Sequence, residues 1–316
     1  MPEPDRGFLL AHFSDPHIAP LPPASLRDLS SKRILGFLSW RYRRRHLHRL
    51  ENLNRLAADV IAQVPDHVAI TGDLTNISLP SEFVQAAEWL KGFGAADWVT
   101  VIPGNHDAYV RQPWAQSWAL WADYMSGDKR PHRGFDDFPF VRRRDRIAII
   151  GLSSAVPTLP TLASGRLGPG QLARLESCLE ALGAEGRFRT VLIHHPPVPG
   201  LMSARKALSD GAAFRDVIAQ AGAELVLHGH DHSFTVKEIA GPKGPVPVCG
   251  VPSASSGPGG HKPLAQYHLY CIAPKGEGWS VEMRVRAWRG PGEGFTEQPA
   301  VDLTAPALRE ALAAAS

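Results

Sequence analysis

Five short polar clusters, each following an apolar run, limit what this 316-residue chain can fold into. Phe8-Leu9-Leu10-Ala11-His12-Phe13 leads into Ser14-Asp15-Pro16-His17, and Val68-Ala69-Ile70-Thr71 into Gly72-Asp73. Residues 98–102 lead into Pro103-Gly104-Asn105-His106-Asp107. Residues 190–193 lead into His194-His195-Pro196-Pro197, and residues 224–227 into Gly229-His230-Asp231-His232. Short apolar runs that end in turn residues read as buried strands. Open α/β sheets hold their ligands just beyond the carboxyl ends of such strands. Five clusters in one structural position point to a site, not to five unrelated turns.

Between the clusters lie helical patterns. Leu47, Leu50, Leu53, Leu56, Val60, Ile61 and Val64 recur on one face, and Ser81 opens a second helix carrying Phe83, Ala86, Ala87 and Leu90. Residues 147–152 read as a further strand, with helices at 171–182 and 214–219. Strands alternating with helices predict an α/β architecture. Beyond residue 233 the texture becomes strand-rich (235–239, 246–249, 266–272, 280–287), which predicts a second sheet over 233–316. Pro306 starts a terminal helical pattern, where a missing N–H costs nothing. The whole of 1–316 reads as one domain of ordinary globular composition, 44% hydrophobic and 21% charged.

Composition excludes several classes. A net charge of +3 is too small to imply a nucleic-acid binder. Cys178, Cys249 and Cys271 are scattered, so neither a disulfide framework nor a zinc ribbon is available. Reduced thiols fit a cytoplasmic protein. No apolar run approaches the roughly 20 residues of a spanning helix.

As ligands, the clusters supply carboxylates (Asp15, Asp73), an amide oxygen (Asn105) and imidazoles (His17, His194, His230, His232). Taken singly, each has an ordinary use: aspartates cap helices and turns, Asn105 beside Gly104 suits a turn, and a lone histidine packs in a core. Taken together they offer nitrogen and oxygen donors without a thiolate, which suits borderline divalent ions and not a structural zinc cage. Two such ions roughly 3.5–4 Å apart can activate water and clamp a phosphoryl group.

Asp15-Pro16-His17, Gly72-Asp73, Gly104-Asn105-His106-Asp107, His194 and Gly229-His230-Asp231-His232 resemble the ordered motifs of the calcineurin-like phosphoesterases, over residues 8 to about 255. The resemblance implies a four-layer αββα sandwich, two mixed β-sheets flanked by helices. It implies two divalent metal ions (Mn, Fe, Zn or Mg), one held by Asp15, His17, Asp73 and His232, the other by Asp73, Asn105, His194 and His230. It implies that His106, with Asn105, contacts the phosphate and assists the leaving group. His195 is expected to orient the loop or the substrate, His228 to stand behind the ligands, and His12 to pack or support them.

Gly72-Asp73-Leu74-Thr75-Asn76 and the ending Asp107 differ from the protein serine/threonine phosphatase pattern. His194-His195-Pro196-Pro197 looks most like the cyclic-nucleotide and glycerophosphodiester phosphodiesterases, which implies a small phosphodiester substrate. The stretch 20–56 departs from that branch. Arg41, Arg43, Arg44, Arg45 and Arg49 stand beside Leu35, Phe37, Leu38 and Trp40, the composition of a cap over the active-site mouth or of an anchor on an anionic membrane. The alternative substrate is therefore a nucleotide-linked or other lipid phosphate, taken at the inner membrane surface as in enzymes resembling the UDP-diacylglucosamine pyrophosphatases. A plain solvated helix explains the same arginines equally well. A nuclease ranks third, since Arg142–Arg146 is the sole other basic run. A catalytically dead scaffold would have lost ligands, and all seven are intact. Self-association is compatible with the sequence.

Overall fold

The computed structural model describes residues 7–29, 31–129, 131–290 and 292–304. The first sheet starts with β1 (Phe8–Phe13), β2 (His67–Ile70) and β3 (Val99–Val101), which run parallel, Phe13 standing beside Ile70 and Ile70 beside Val101. The second sheet takes β4 (Phe140–Arg144), β5 (Ile147–Gly151), β6 (Phe188–Leu192), β7 (Leu225–His228), β8 (Thr235–Ile239) and β9 (Val246–Gly250) in the order β4-β5-β6-β7-β9-β8. Its inner four strands are parallel and its two edges antiparallel. The chain then returns to the first sheet with β10 (Gln266–Lys275), β11 (Gly278–Trp288), β12 (Phe295–Glu297) and β13 (Val301–Asp302). β10 lies antiparallel to β1, with His268 opposite His12.

Alternation along the parallel strands explains the layering. Ile147, Ile149, Leu225 and Leu227 point into the core shared with Leu10, Phe13 and Tyr270 of the first sheet. Ala148, Ile150, Val226 and Val248 point the other way, onto Leu175 and Leu179 of one helix and Phe214 and Ile218 of another. Both faces are therefore apolar, as parallel strands covered on two sides require. The helices are α1 (Arg33–Ser39), α2 (Leu50–Ala62), α3 (Pro80–Phe93), α4 (Pro169–Ala184) and α5 (Gly211–Ala221). α2 and α3 add Leu53, Leu56, Val60, Phe83 and Leu90 to the first-sheet core. The result is the expected αββα sandwich, two mixed sheets flanked by helices.

Four expectations need correction or lie elsewhere. The strands of 233–316 do not build a sheet of their own. β8 and β9 extend the second sheet, whereas β10 to β13 complete the first, because β1 and β7 each leave an open edge to be paired. Ile61 and Val64 are exposed: Ile61 lies off the buried stripe of Leu53, Leu56, Ala57 and Val60, and Val64 lies beyond α2, which ends at Ala62. The second helix starts one residue earlier, with Pro80 at its first position. The helix expected at 306–315 lies outside the described residues. β4 had no signal: Arg142 within it is buried, and its guanidinium donates to the carbonyls of Ser126 and Val99, both at 2.7 Å.

Candidate metal centre

Each polar cluster lies at the carboxyl end of a strand, after β1, β2, β3, β6 and β7. The loops continue the pairing of their strands. Asp15 N–H donates to Gly72 O (3.0 Å), His17 N–H to Asp73 O (2.9 Å) and Gly229 N–H to His194 O (3.2 Å). Asp15, His17, Asp73, His230 and His232 have φ between 39° and 71°. That left-handed backbone is costly for residues with side chains and clusters at functional sites. It turns five of the seven candidate ligands toward one centre.

Two buried acids hold the loops in this shape. Asp107 accepts N–H bonds from Asp73 (2.9 Å), Leu74 (3.3 Å), Thr75 (2.8 Å) and Gly104 (2.9 Å). Burial and the neighbouring Asp73 carboxylate push Asp107 up to about 7, against the pull of these donors. Glu82, in the first turn of α3, accepts from Asn76 (2.6 Å), Ile77 (3.0 Å) and Leu79 (2.9 Å). Gly104 packs against Asp73 and His194, and Gly229 against Ser14 and Asp15, so tightly that a Cβ on either would collide.

The seven residues named from the sequence come together. His17 Nδ1 faces Thr75 O (3.2 Å) and His194 Nδ1 faces Thr71 O (2.7 Å). A carbonyl only accepts, so in both rings Nδ1 carries a hydrogen, and when the ring is neutral Nε2 is left bare. His17 Nε2 then lies 3.4 Å from His232 Nε2 and 3.8 Å from Asp73 Oδ2. His194 Nε2 lies 3.1 Å from Asn105 Oδ1 and 3.5 Å from the same Asp73 Oδ2. His232 Nε2 is 3.1 Å from Asp15 Oδ1. In His230, Nε2 is engaged by Lys206 O (3.0 Å), which leaves Nδ1 for the cluster of Asp73, His194 and His230.

With the rings of His17 and His194 neutral, their Nε2 lone pairs face the lone pairs of Asp73 and Asn105. Bare nitrogens and acceptor oxygens at such separations repel unless a cation sits between them. Metal–nitrogen bonds of roughly 2.0–2.1 Å place tetrahedral ligand atoms about 3.3 Å apart, close to the spacings here. The residues therefore fit divalent ions. Burial lowers the basicity of His194, but Asp73 and Asp15 outweigh it and push the ring up to about 9, so without an ion a proton stands where the positive charge is needed. The cluster is short of positive charge.

His106 borders the cluster. Its N–H donates to Asp73 Oδ1 (2.7 Å), its ring stacks on Tyr109, and its Nδ1 is 2.5 Å from Asn76 O. His106, His230 and His232 are the partly exposed members and form the open side of the centre. His195 is buried behind it, with Nδ1 on Ser154 Oγ (2.7 Å) and Nε2 on Ala163 O (3.1 Å); burial, then His194, lower it to about 3. Both nitrogens being taken, it positions His230, whose ring centroid is 4.4 Å away. His228 bonds Gly229 O (3.0 Å), and His12 bonds Thr71 Oγ1 (2.9 Å), both away from the ligand atoms.

Two residues of the basic stretch reach the centre without having been singled out for it. His48 is buried, its Nδ1 on Ser255 Oγ (2.9 Å), and it forms a potential metal group with His17 and His232 whose ligand atoms lie within 4.8 Å of one another. Arg44 Nη1 lies 3.2 Å from His106 Nε2. Conversely Phe37 and Trp40 are partly buried and pack beside Leu21, Ile77 and Leu79. A cavity of about 510 Å³ lies on the far side of the Asp107 loop, against Trp118, Phe135 and Phe138; none of the seven clustered residues lines it.

The sequence model of the calcineurin-like phosphoesterases matches residues 8–234. The chain belongs to this family. As a calcineurin-like phosphoesterase it is a metal-dependent hydrolase of phosphoric esters. It is 27% identical over 248 residues to a glycerophosphodiester phosphodiesterase of Enterobacter lignolyticus, 73% of each chain being covered. It is 33% identical over 119 residues to a probable cyclic nucleotide phosphodiesterase of Synechococcus, covering 37% of this chain and 41% of the relative. In fold it is similar to a dimetal phosphatase from Danio rerio, with a TM-score of 0.62 at 13% identity over 95% of this chain and 99% of that one. A purple acid phosphatase from yellow lupin follows at 0.57 and 10% identity, over 95% and 55%. Among the described residues no helix is long and apolar enough to cross a membrane.

Proposed function

We propose that this phosphoesterase cleaves a small phosphodiester with two divalent ions, held by Asp15, His17, Asp73 and His232 on one side and by Asp73, Asn105, His194 and His230 on the other. The observation that carries the reading is the position of Asp73 Oδ2, which faces the Nε2 atoms of both His17 and His194. One carboxylate serving two histidine groups is the arrangement that a pair of cations requires. His48 offers the first position a further nitrogen. Mn, Fe, Zn and Mg all suit these donors. The named activities of the two relatives support a diester over a monoester.

Divalent ions bound there supply Lewis acidity toward a phosphoryl oxygen and toward water. The protein's own residues do the rest. Asp107 and Glu82 hold the ligand loops rigid, and Asn105 and His106 present an amide and an imidazole where the phosphate enters. Burial first, and then Arg44, lower His106 to about 4, so the free enzyme holds it neutral. Protonating the leaving group then requires the anionic substrate to raise that basicity. A screen of the metal-loaded protein against a cyclic nucleotide, a glycerophosphodiester, a nucleotide-linked lipid and aryl phosphate monoesters tests the reading. Turnover of a small diester supports it; turnover of monoesters alone contradicts it.

One observation favours the second reading, a lipid-linked substrate at an anionic membrane surface. Ile34, Leu35, Leu38 and Tyr42 are exposed (41%, 47%, 41% and 72%) beside exposed Arg41, Arg43 and Arg45. An apolar face turned outward among cations has the composition of an interfacial anchor.

A further inference from the structure

The helical segment that starts at Arg33 spans two of the loops around the metal centre. At one end the Arg33 guanidinium donates to Ile77 O (3.2 Å) and Ser78 O (2.7 Å), just beyond the Asp73 cluster. At the other, Arg49 N–H donates to Ser255 O (3.0 Å) and Gly257 N–H to Leu47 O (2.7 Å). Between these anchors the helix is not regular. α1 gives way to a π-helical turn at Trp40–Arg44 before closing with Arg45–Leu47. A π-turn inserts a residue and re-aims the side chains that follow, and such turns occur often at functional sites.

Here the residue re-aimed inward is Arg44. Arg41, Arg43 and Arg45 are exposed, whereas the Arg44 head lies over His106, Nη1 being 3.2 Å from both ring nitrogens. Its other contacts are weak: Nη2 stands 3.4 Å from Gly36 O and 3.5 Å from Asn76 O, at the outer limit for a hydrogen bond. Its Nε is buried and has no partner. Among the described residues no carboxylate lies within 4.0 Å of the guanidinium, in contrast to Arg189 with Glu224 or Arg286 with Asp59. Arginine cannot shed its proton to escape this. A mostly buried guanidinium given neither a counter-ion nor a full set of acceptors is costly, and the planar fork matches a phosphate bidentately.

We propose that Arg44 is a substrate-binding residue that closes on the non-bridging oxygens of the phosphate beside His106. This rests on the reading of the neighbouring cluster as the phosphoryl site. It assigns the basic stretch two separate tasks: Arg44 faces the reacting group, and its exposed neighbours face solvent or a surface. Arg41, Arg43 and Arg45 are exposed, so Arg44 is the arginine of this run that meets His106.

The test uses inorganic phosphate as the probe on the metal-loaded full chain, with binding followed by calorimetry and metal content measured on the same samples. Arg44→Gln is expected to weaken phosphate binding by roughly 10–100-fold, the range for a lost charge-assisted hydrogen bond, with metal content and melting temperature unchanged. Arg44→Lys is expected to recover part of the loss, since it keeps the charge without the fork. Arg43→Gln, on the exposed side, is expected to bind as wild type does. Phosphate binding by Arg44→Gln equal to wild type overturns the proposal. So does joint loss of metal, folding and phosphate in both Arg44 variants, which makes the residue structural. If the metal-loaded wild type itself binds no phosphate, the reading of the centre falls together with the proposal.

Discussion

Asp107 Oδ2 accepts the backbone N–H of Asp73 at 2.9 Å, so the last residue of the third cluster fixes the backbone of the second. Three further N–H groups share that carboxylate. Asp107→Ala orphans four buried donors, each costing on the order of 1–3 kcal/mol. The variant should melt well below wild type and bind metal more weakly, as read by calorimetry and metal titration. An unchanged melting temperature with unchanged metal affinity contradicts the role given to Asp107.

His106 lies with His17 and Asp73, their ligand atoms within 4.8 Å of one another, and borders the open side. His106→Ala should lower turnover by roughly 10²–10⁴-fold while metal content stays near wild type. The loss should be smaller for nitrophenolate, which leaves without a proton, than for an alkoxide. Equal losses on the two leaving groups remove the acid role and leave phosphate contact alone.

His48 stands with His17 and His232, its other nitrogen tied to Ser255. His48→Ala should weaken one of the two bound ions by roughly tenfold or more, in line with losses around other metal centres. With cobalt as the probe, its visible spectrum should change. Identical spectra and affinities in His48→Ala show that this ring only packs.

The outward apolar face makes a separate prediction. Arg41, Arg43 and Arg45 changed together to Gln should weaken partition onto phosphatidylserine vesicles by about 3 kcal/mol, roughly a hundredfold. Leu35→Ser with Leu38→Ser should weaken it further at high salt, where the arginines are screened. If neither variant departs from wild type in vesicle sedimentation, the segment is a solvated helix and the small-diester reading stands alone.

The place of the candidate ligands was legible in the sequence because its signal is local. An apolar run fixes a strand, and the polar residues just beyond it must emerge at the strand's end; Asp15, Asp73, Asn105, His194 and His230 needed nothing more. Arg44 and His48 were not legible as site residues. Their direction depends on a π-helical turn and on bonds to the 253–257 loop some two hundred residues away, and neither leaves a periodic trace. Phe37 and Trp40 read as part of a cap or a membrane anchor, and it takes the assembled fold to show that they pack beside Leu21 and Ile77. The division of β8–β13 between two sheets is likewise decided by which edges are open, a property of the assembled fold.

The central claim is that Asp73 is shared by two ions on which hydrolysis depends. Metal content by mass spectrometry, taken alongside turnover of bis(4-nitrophenyl) phosphate, tests it in wild type, Asp73→Asn and Asn105→Ala. Wild type should hold two ions per chain. Asp73→Asn should lose both ions and nearly all turnover, and Asn105→Ala should keep one ion and lose most of it. Full turnover with one ion per chain, or in excess chelator, would contradict the account.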